Sequence, residues 1–383
     1  MPANLPAEAK AKWLKVMEAK TPEEKIRAME EFLSAVPKHK GTEKLIKFVR
    51  RRMAELRREV EERKAKERGA RGSGGHYVKK DGDIQLVVVG PPNGGKSSLL
   101  RCLTSVRLEP DAIPFSTVEP VPAMFVEDNV YIQLVKAPSL VLDDFSSDLN
   151  SITFALARNA DGLILLLRGD ANPGATLSAM VKLFDEAGIS VYRPKTLVRV
   201  ERRSMGGVQV VGKLRNTTLD DVKRLLSDYG IHHAVVYVDG EATLDDVENA
   251  IFSEHLFKPS IALISGDGDG VERELESLGI PHMRVNLPAC DIDRRRLLEL
   301  ILGTLRMIRV FTKQIHSDWY TPKPLVVKEN TTVGDIAKMI HSSLYEQFKY
   351  AVVWRRDEFP KWPKRVGLEY RLKDNDVVEI HAR

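Results

Sequence analysis

Lys96 and Ser97 close a glycine-bearing loop, Gly90-Pro91-Pro92-Asn93-Gly94-Gly95-Lys96-Ser97, that follows the apolar run IQLVVV and opens a second one. The spacing is G-x-x-x-x-G-K-[ST] between a strand and a helix start, and its chemistry is the holding of a phosphate anion. Backbone N–H groups of a tight loop and of the first helical turn converge on the oxyanion. Lys96 is placed to neutralise the β and γ oxygens, and the Ser97 hydroxyl to ligate Mg²⁺. Asn93, Gly94, Gly95 and Ser98 complete the expected cradle.

Such a loop needs a buried strand behind it and a helix in front, and the chain supplies both in an α/β series. Short β-rich runs at 84–90, 130–135, 162–168, 233–238 and 260–265 alternate with helical stretches, the pattern of a mostly parallel sheet. An insert at about 174–240 reads as a small α/β excursion. Upstream, residues 1–68 predict a basic helical hairpin. Thr21, Pro22 and two glutamates form a helix start, and a second helix carries Leu45, Phe48, Val49, Met53 and Leu56 at helical spacing. Arg50, Arg51 and Arg52 on that helix are either a solvated face or an RNA-facing surface. Residues 69–83 predict a flexible linker. From 312 to 383 the order strand, helix, strand, strand predicts a small β-grasp-like module.

Composition narrows the class. The 383 residues are 30% charged with a formal net charge of +5, too small to imply nucleic acid without asking where the charge lies. Cys102 and Cys290 offer neither a disulfide framework nor a metal spacing, so a reduced compartment is expected. No apolar run approaches the roughly 18 residues of a membrane span. The N-terminus is too charged for a signal peptide. The expectation is a soluble cytoplasmic protein that works as a monomer and without a membrane.

Taken together, these stretches resemble the developmentally regulated GTP-binding (DRG) branch of the Obg-like GTPases along nearly the whole chain. HKGTEKLIKFVRRRMAELRREV is similar to that family's helix-turn-helix region, and IPFSTVEPVPAMF (113–125) to its switch I. RVFTK and IHSSLYEQFKYAVVW…PKRVGLEYRLKDNDVVEIHAR are similar to its C-terminal TGS domain. The resemblance implies a P-loop NTPase of Ras-like G-domain type, with an N-terminal helical hairpin, an inserted α/β subdomain and a C-terminal TGS module. It implies that Thr117 covers the γ-phosphate and Mg²⁺, and that guanine nucleotide is the ligand. In related potassium-stimulated GTPases an asparagine at the Asn93 position ligates K⁺; Asn93 either does so or stabilises the loop.

Departures from the family pattern carry as much information. Where the family has Asp-x-Pro-Gly, this chain reads Lys136-Ala137-Pro138-Ser139. A lysine replaces the aspartate that holds Mg²⁺ through water, and its charge weakens metal binding. Ser139 replaces a glycine but keeps the N–H that meets the γ-phosphate. Leu140 stands where Ras-like enzymes orient water with glutamine, as is normal for the family. The guanine-reading Asn-Lys-x-Asp is replaced by Ser265-Gly266-Asp267-Gly268-Asp269. The lost carboxylate would accept two bonds from the base, each worth roughly 1.5–3 kcal/mol. Asp267 or Asp269 takes its place only if the loop shifts by a residue. The last base-side loop, expected as Ser-Ala, falls at Leu287-Pro288-Ala289.

The TGS-like segment interleaves Lys349, Arg355, Arg356, Lys361, Lys364 and Arg365 with Tyr350, Trp354, Phe359 and Trp362. That mixture suits phosphate contact with base stacking, or else a strand whose aromatic face is core. With the N-terminal arginines, and with the ribosome and RNA association that the TGS resemblance implies, the expectation is a ribosome- or RNA-associated GTP-binding factor, whose hydrolysis the departures at Lys136 and 265–269 make slow or lost. The alternatives are an active potassium-stimulated GTPase, a nucleotide-independent scaffold, and an NTPase with altered base preference.

Overall fold

The computed structural model describes the chain except for residues 1–4, 20, 38–41, 43–44, 47–48, 51, 54–55, 57–77, 106–118, 253–255 and 267–269. Thr117, Asp267, Asp269 and Arg51, and most of the expected linker, therefore lie outside the described residues. The chain forms two compact units, 1–75 with 184–257, and 76–183 with 258–383.

In the first unit the helices Ala7–Glu18 and Pro22–Ala35 share one core with the insert. Trp13 and Phe32 meet at 4.8 Å between ring centroids, and Val49, Met53 and Leu56 join Val222, Leu226, Tyr229 and Val236 in the same cluster. The expected start of the second of these helices is a full capping box: Glu24 N–H donates to Thr21 Oγ1 and Thr21 N–H to Glu24 Oε2. The insert is a three-stranded sheet in the order Leu197–Arg202, Ala234–Ala242, Val208–Leu214. Residues 45, 46, 49, 50, 52, 53 and 56 are helical, with Arg50 and Arg52 exposed.

The second unit is built on a six-stranded sheet in the order His282–Val285, Ser260–Ser265, Gly162–Arg168, Ile84–Val89, Val130–Lys136, Val121–Glu127. Every pairing is parallel except the last, which is a hairpin. All six residues of Ile84–Val89 are buried, as a strand covered on both faces must be. The phosphate-loop helix Lys96–Leu103 and the helix Arg294–Leu305 pack Leu99, Leu100, Leu298 and Ile301 on one core with that strand. This is the expected α/β P-loop architecture.

Residues 307–382 form the β-grasp module. Its sheet runs Leu325–Lys328, Met307–Lys313, Asp376–Ala382, Phe348–Arg355, Lys364–Val366, with the first and last strands in sequence parallel at the centre. The helix Val333–Ile340 closes one face through Val333, Ile336 and Ala337. Its other face carries Trp354, Phe311 and Val377, with Tyr320 and Phe359 against them. Trp354 is core, and its indole N–H donates to Pro360 O.

A charged cluster ties this module to the hairpin of the larger sheet. Asp128 and Asn129 form the hairpin turn, both at positive φ, as a tight two-residue connection requires. Arg356 grips the Asp128 carboxylate with both terminal nitrogens, at 2.8 and 3.1 Å, and stacks 4.4 Å over Phe311. The buried Arg309 reaches Asp128, Glu299 and Asp374. The hydrogen bonds from Arg356 hold the Asp128 carboxyl below its ordinary range, although partial burial works against them.

Candidate phosphate-binding site

The site starts from what a glycine alone permits. Gly95, the N-cap of the phosphate-loop helix, sits at φ +89, and a Cβ there would come within 2.6 Å of Leu287 Cδ1. Asn93 at the exposed tip also takes a left-handed φ, of 56 degrees, which asparagine tolerates better than most residues. The helix has no side-chain cap, so its first amides are free of the intrahelical bonds that later ones make. The helix dipole adds to the attraction for an anion there.

Lys96 is 4% exposed. Its ammonium donates to the carbonyl oxygens of Gly90 (2.9 Å) and Pro91 (2.8 Å) and to Ser139 Oγ (3.0 Å). These bonds draw the lysine along the loop. Ser97 is buried at the same helix start and Ser98 is half-buried beside it. The fold thus brings the loop, Lys96, Ser97 and Ser139 together.

Ser139 is held there by its neighbours. Ala137 N–H donates to Val88 O and Leu140 N–H to Gly90 O, laying residues 137–140 along the phosphate loop. Asn150, fully buried on the helix Asp148–Asn159, bonds both the N–H and the carbonyl of Val141. Thr153 Oγ1 donates to Pro138 O. Leu140 is fully buried and offers no polar group to a water molecule.

Mg²⁺, which a G domain of this type ordinarily takes, does not fit these residues well. Ser97 is a suitable ligand type, but the strand end that would carry a carboxylate holds Lys136, 3% exposed. A buried ammonium there opposes a divalent cation.

On the base side the arrangement differs. Ser265 ends its strand, and its carbonyl accepts from Gly169 N–H. Gly266 follows at positive φ, with its carbonyl bonded by Arg284. Residues 286–291 form a closed turn: Asn286 and Asp291 exchange backbone bonds, and Ala289 N–H donates to Asn286 Oδ1. Leu287 tucks under Gly95, and Cys290 is disulfide-bonded to Cys102 of the phosphate-loop helix. This corrects the expectation of two separate thiols. The turn carries Cys102 and Cys290 to one place across 188 residues, a proximity that spacing alone does not reveal.

Two of the basic candidates are engaged within the protein. Arg356, expected at an RNA surface, is taken up by Asp128. Arg355 donates to Asp374 O and to the buried carboxylate of Asp376. Lys364 and Arg365 lie exposed on the edge strand, over the rings of Tyr370 and Tyr350. Trp362 is 80% exposed nearby in sequence, and Trp319 is 74% exposed. Asp128 and the contact of Leu287 with Gly95 escaped sequence reasoning. Only the Asp-Asn turn dipeptide could have drawn attention to the first.

No helix among the described residues is long and apolar enough to cross a membrane. The chain matches a family model described as a 50S ribosome-binding GTPase over residues 85–200, and one described as a TGS domain over residues 310–382. It is 30% identical to guanylate binding protein 128up of Drosophila melanogaster over 364 residues, 93% of this chain and 98% of that protein. Developmentally-regulated GTP-binding protein 1 of Xenopus laevis is 28% identical, covering 93% of this chain and 98% of that one. Among solved structures, the Schizosaccharomyces pombe YchF GTPase aligns at 12% identity and TM-score 0.45 over 80% of this chain and 99% of that chain, too distant to argue from. The phosphate loop, the α/β sheet around it, the C-terminal module and the near full-length relatives agree: the chain belongs to the developmentally regulated GTP-binding protein family.

Proposed function

We propose that this protein is a nucleotide-binding factor that grips phosphate strongly, reads the base weakly, hydrolyses slowly or not at all, and acts on RNA or the ribosome. The observation that carries the reading is the buried Lys96 held between the loop carbonyls and Ser139, at a helix start that only Gly95 can cap. Those groups bind and orient a polyphosphate. Guanine nucleotide is the natural ligand for a member of this family, and Asp267 and Asp269, the carboxylates that could take over its selection, lie outside the described residues.

Slow turnover is attributed to Lys136, which stands where the family has an acidic residue at the strand end; the buried Leu140 is normal for the family and does not count against activity. Asn93 is the one candidate for a monovalent-cation ligand on the loop, and potassium stimulation is the property that would make hydrolysis appreciable. RNA contact rests on Arg50 and Arg52 in the first unit, and on Lys364 and Arg365 with exposed Trp362 in the TGS module. Basic groups supply the sequence-independent phosphate term and an exposed indole supplies stacking.

Labelled-nucleotide titration followed by single-turnover phosphate release in K⁺ and in Na⁺ tests this. The expected result is saturable nucleotide binding with release too slow to cycle in either salt. Rapid release in K⁺ alone would identify an active potassium-stimulated GTPase instead. Ribosome co-sedimentation with Lys96→Ala separates docking from nucleotide. Sedimentation that survives the substitution places docking outside the nucleotide cycle.

A further inference from the structure

Lys136 ends the strand Val130–Lys136, in register with Val88 on one side and Val121 on the other. Residues two apart in a strand share a face, so Lys136 leaves the sheet with Ile132 and Leu134. Those two pack with Val88, Leu99 and Leu100, on the face covered by the phosphate-loop helix whose first turn bears Ser97. The lysine is 3% exposed, and directly after it the chain bonds to Val88 O, to Gly90 O and to Lys96. The register therefore sets a second buried lysine at the strand end next to the loop that carries Lys96, at the position where a G domain carries the carboxylate that holds its metal.

We propose that Lys136 takes over the charge role of the divalent cation, so that this site binds the terminal phosphates of a nucleotide without metal. The inference rests on the phosphate loop holding a nucleotide. Lys96 and Lys136 together with the helix N-terminus offset the charge of a polyphosphate. A divalent cation entering beside a buried ammonium meets a repulsion that low dielectric magnifies. Metal neither strengthens binding nor is retained, and the ligand class is a free nucleoside di- or triphosphate rather than its magnesium complex.

The test is nucleotide affinity of the full-length protein, measured with excess Mg²⁺ and with EDTA. Affinities within about twofold of one another support the proposal, and tightening by about tenfold or more with Mg²⁺ overturns it. Lys136→Met removes the charge while keeping the stem, and is expected to lower affinity in EDTA by about tenfold or more. An unchanged affinity in a variant that melts like the parent contradicts the proposal. Mn²⁺ spectroscopy on the nucleotide-loaded parent is expected to show no protein-retained ion, and Lys136→Asp to gain one. Should Lys136→Asp fail to fold, the parent titration and Lys136→Met still decide. Absence of nucleotide binding under every condition would reject the phosphate site itself. Binding that requires Mg²⁺ would reject only the role given to Lys136.

Discussion

The phosphate side and the base side of this site sit on the same sheet, yet they are built differently. On the phosphate side, polar groups are organised along the loop: Lys96 on two carbonyls and Ser139, amides at an uncapped helix start, and residues 137–140 fixed by Asn150 and Thr153. At the positions expected on the base side, the described groups in the turn 286–291 bond within the protein itself. Asn286 closes its own turn, Leu287 fills the space beneath Gly95, and Cys290 is bonded to Cys102. On the proposed reading, a nucleotide site keeps its grip and gives up its reading separately. Phosphate binding depends on a contiguous loop, whereas base selection depends on one carboxylate in a distant one.

Reducing the Cys102–Cys290 bond, or replacing both residues with serine, is expected to have the largest effect on folding. Closing a loop of 188 residues restricts the unfolded chain, and its loss should cost about 2–5 kcal/mol in urea denaturation. If the two sides are separable, phosphate affinity of the folded, reduced protein stays close to that of the oxidised form. A parallel collapse of affinity would break the distinction. Next in size, Lys96→Ala should lower affinity for every nucleotide alike by roughly 100-fold, from the loss of charge-assisted bonds worth about 1.5–3 kcal/mol each. Calorimetry with GTP, GDP and ATP measures it, and a loss confined to GTP would contradict the account.

Gly95→Ala probes the seam between the two sides. The left-handed backbone and the contact with Leu287 predict a loss of about 1–3 kcal/mol of stability, together with weaker nucleotide binding. A companion Leu287→Ala should recover part of the stability by relieving the contact but not the backbone strain. A fully neutral Gly95→Ala would mean that the loop does not need its observed shape.

The smallest effect concerns the far end of the same hairpin. Asp128 is held below the usual carboxylate range by hydrogen bonds from Arg356. A depressed folded pKa stabilises above the unfolded value of about 4 and is lost as pH falls through the lower folded value. Asp128→Asn should flatten that acid-side slope in denaturation curves and cost about 1 kcal/mol at neutral pH, given the partial exposure of the pair. Nucleotide affinity is expected to stay unchanged, since the turn lies at the opposite end of the strand from Lys136.

What could be read in advance divides along the same line. The loop at 90–97 was legible because its strand, turn glycines, lysine and serine are consecutive, and the chemistry lies in their order. The β-grasp module was legible for a similar reason, as a local alternation of strand and helix patterns. Lys136 could be noticed from sequence, but that it is buried on the helix face required the register with Val88. Contacts between distant segments were not legible. Arg356 looked like an RNA contact because its neighbours are basic, and only folding brings it to Asp128, 228 residues away. Leu287-Pro288-Ala289 fell where the last base-side loop was expected, and Cys290 looked like one of two unrelated cysteines. In the fold Leu287 and Cys290 are a brace for Gly95 and a covalent tie to Cys102.

The most direct test of the central claim is the ratio of GTP to ATP affinity, from competition titrations on the full-length protein. If the site grips phosphate and lacks a base-reading carboxylate, as proposed, it should bind both through Lys96, with affinities within about tenfold of one another. A preference for GTP approaching 10⁴, the level that buried hydrogen-bond readout provides, would show that another residue has restored the guanine contact and would contradict the account.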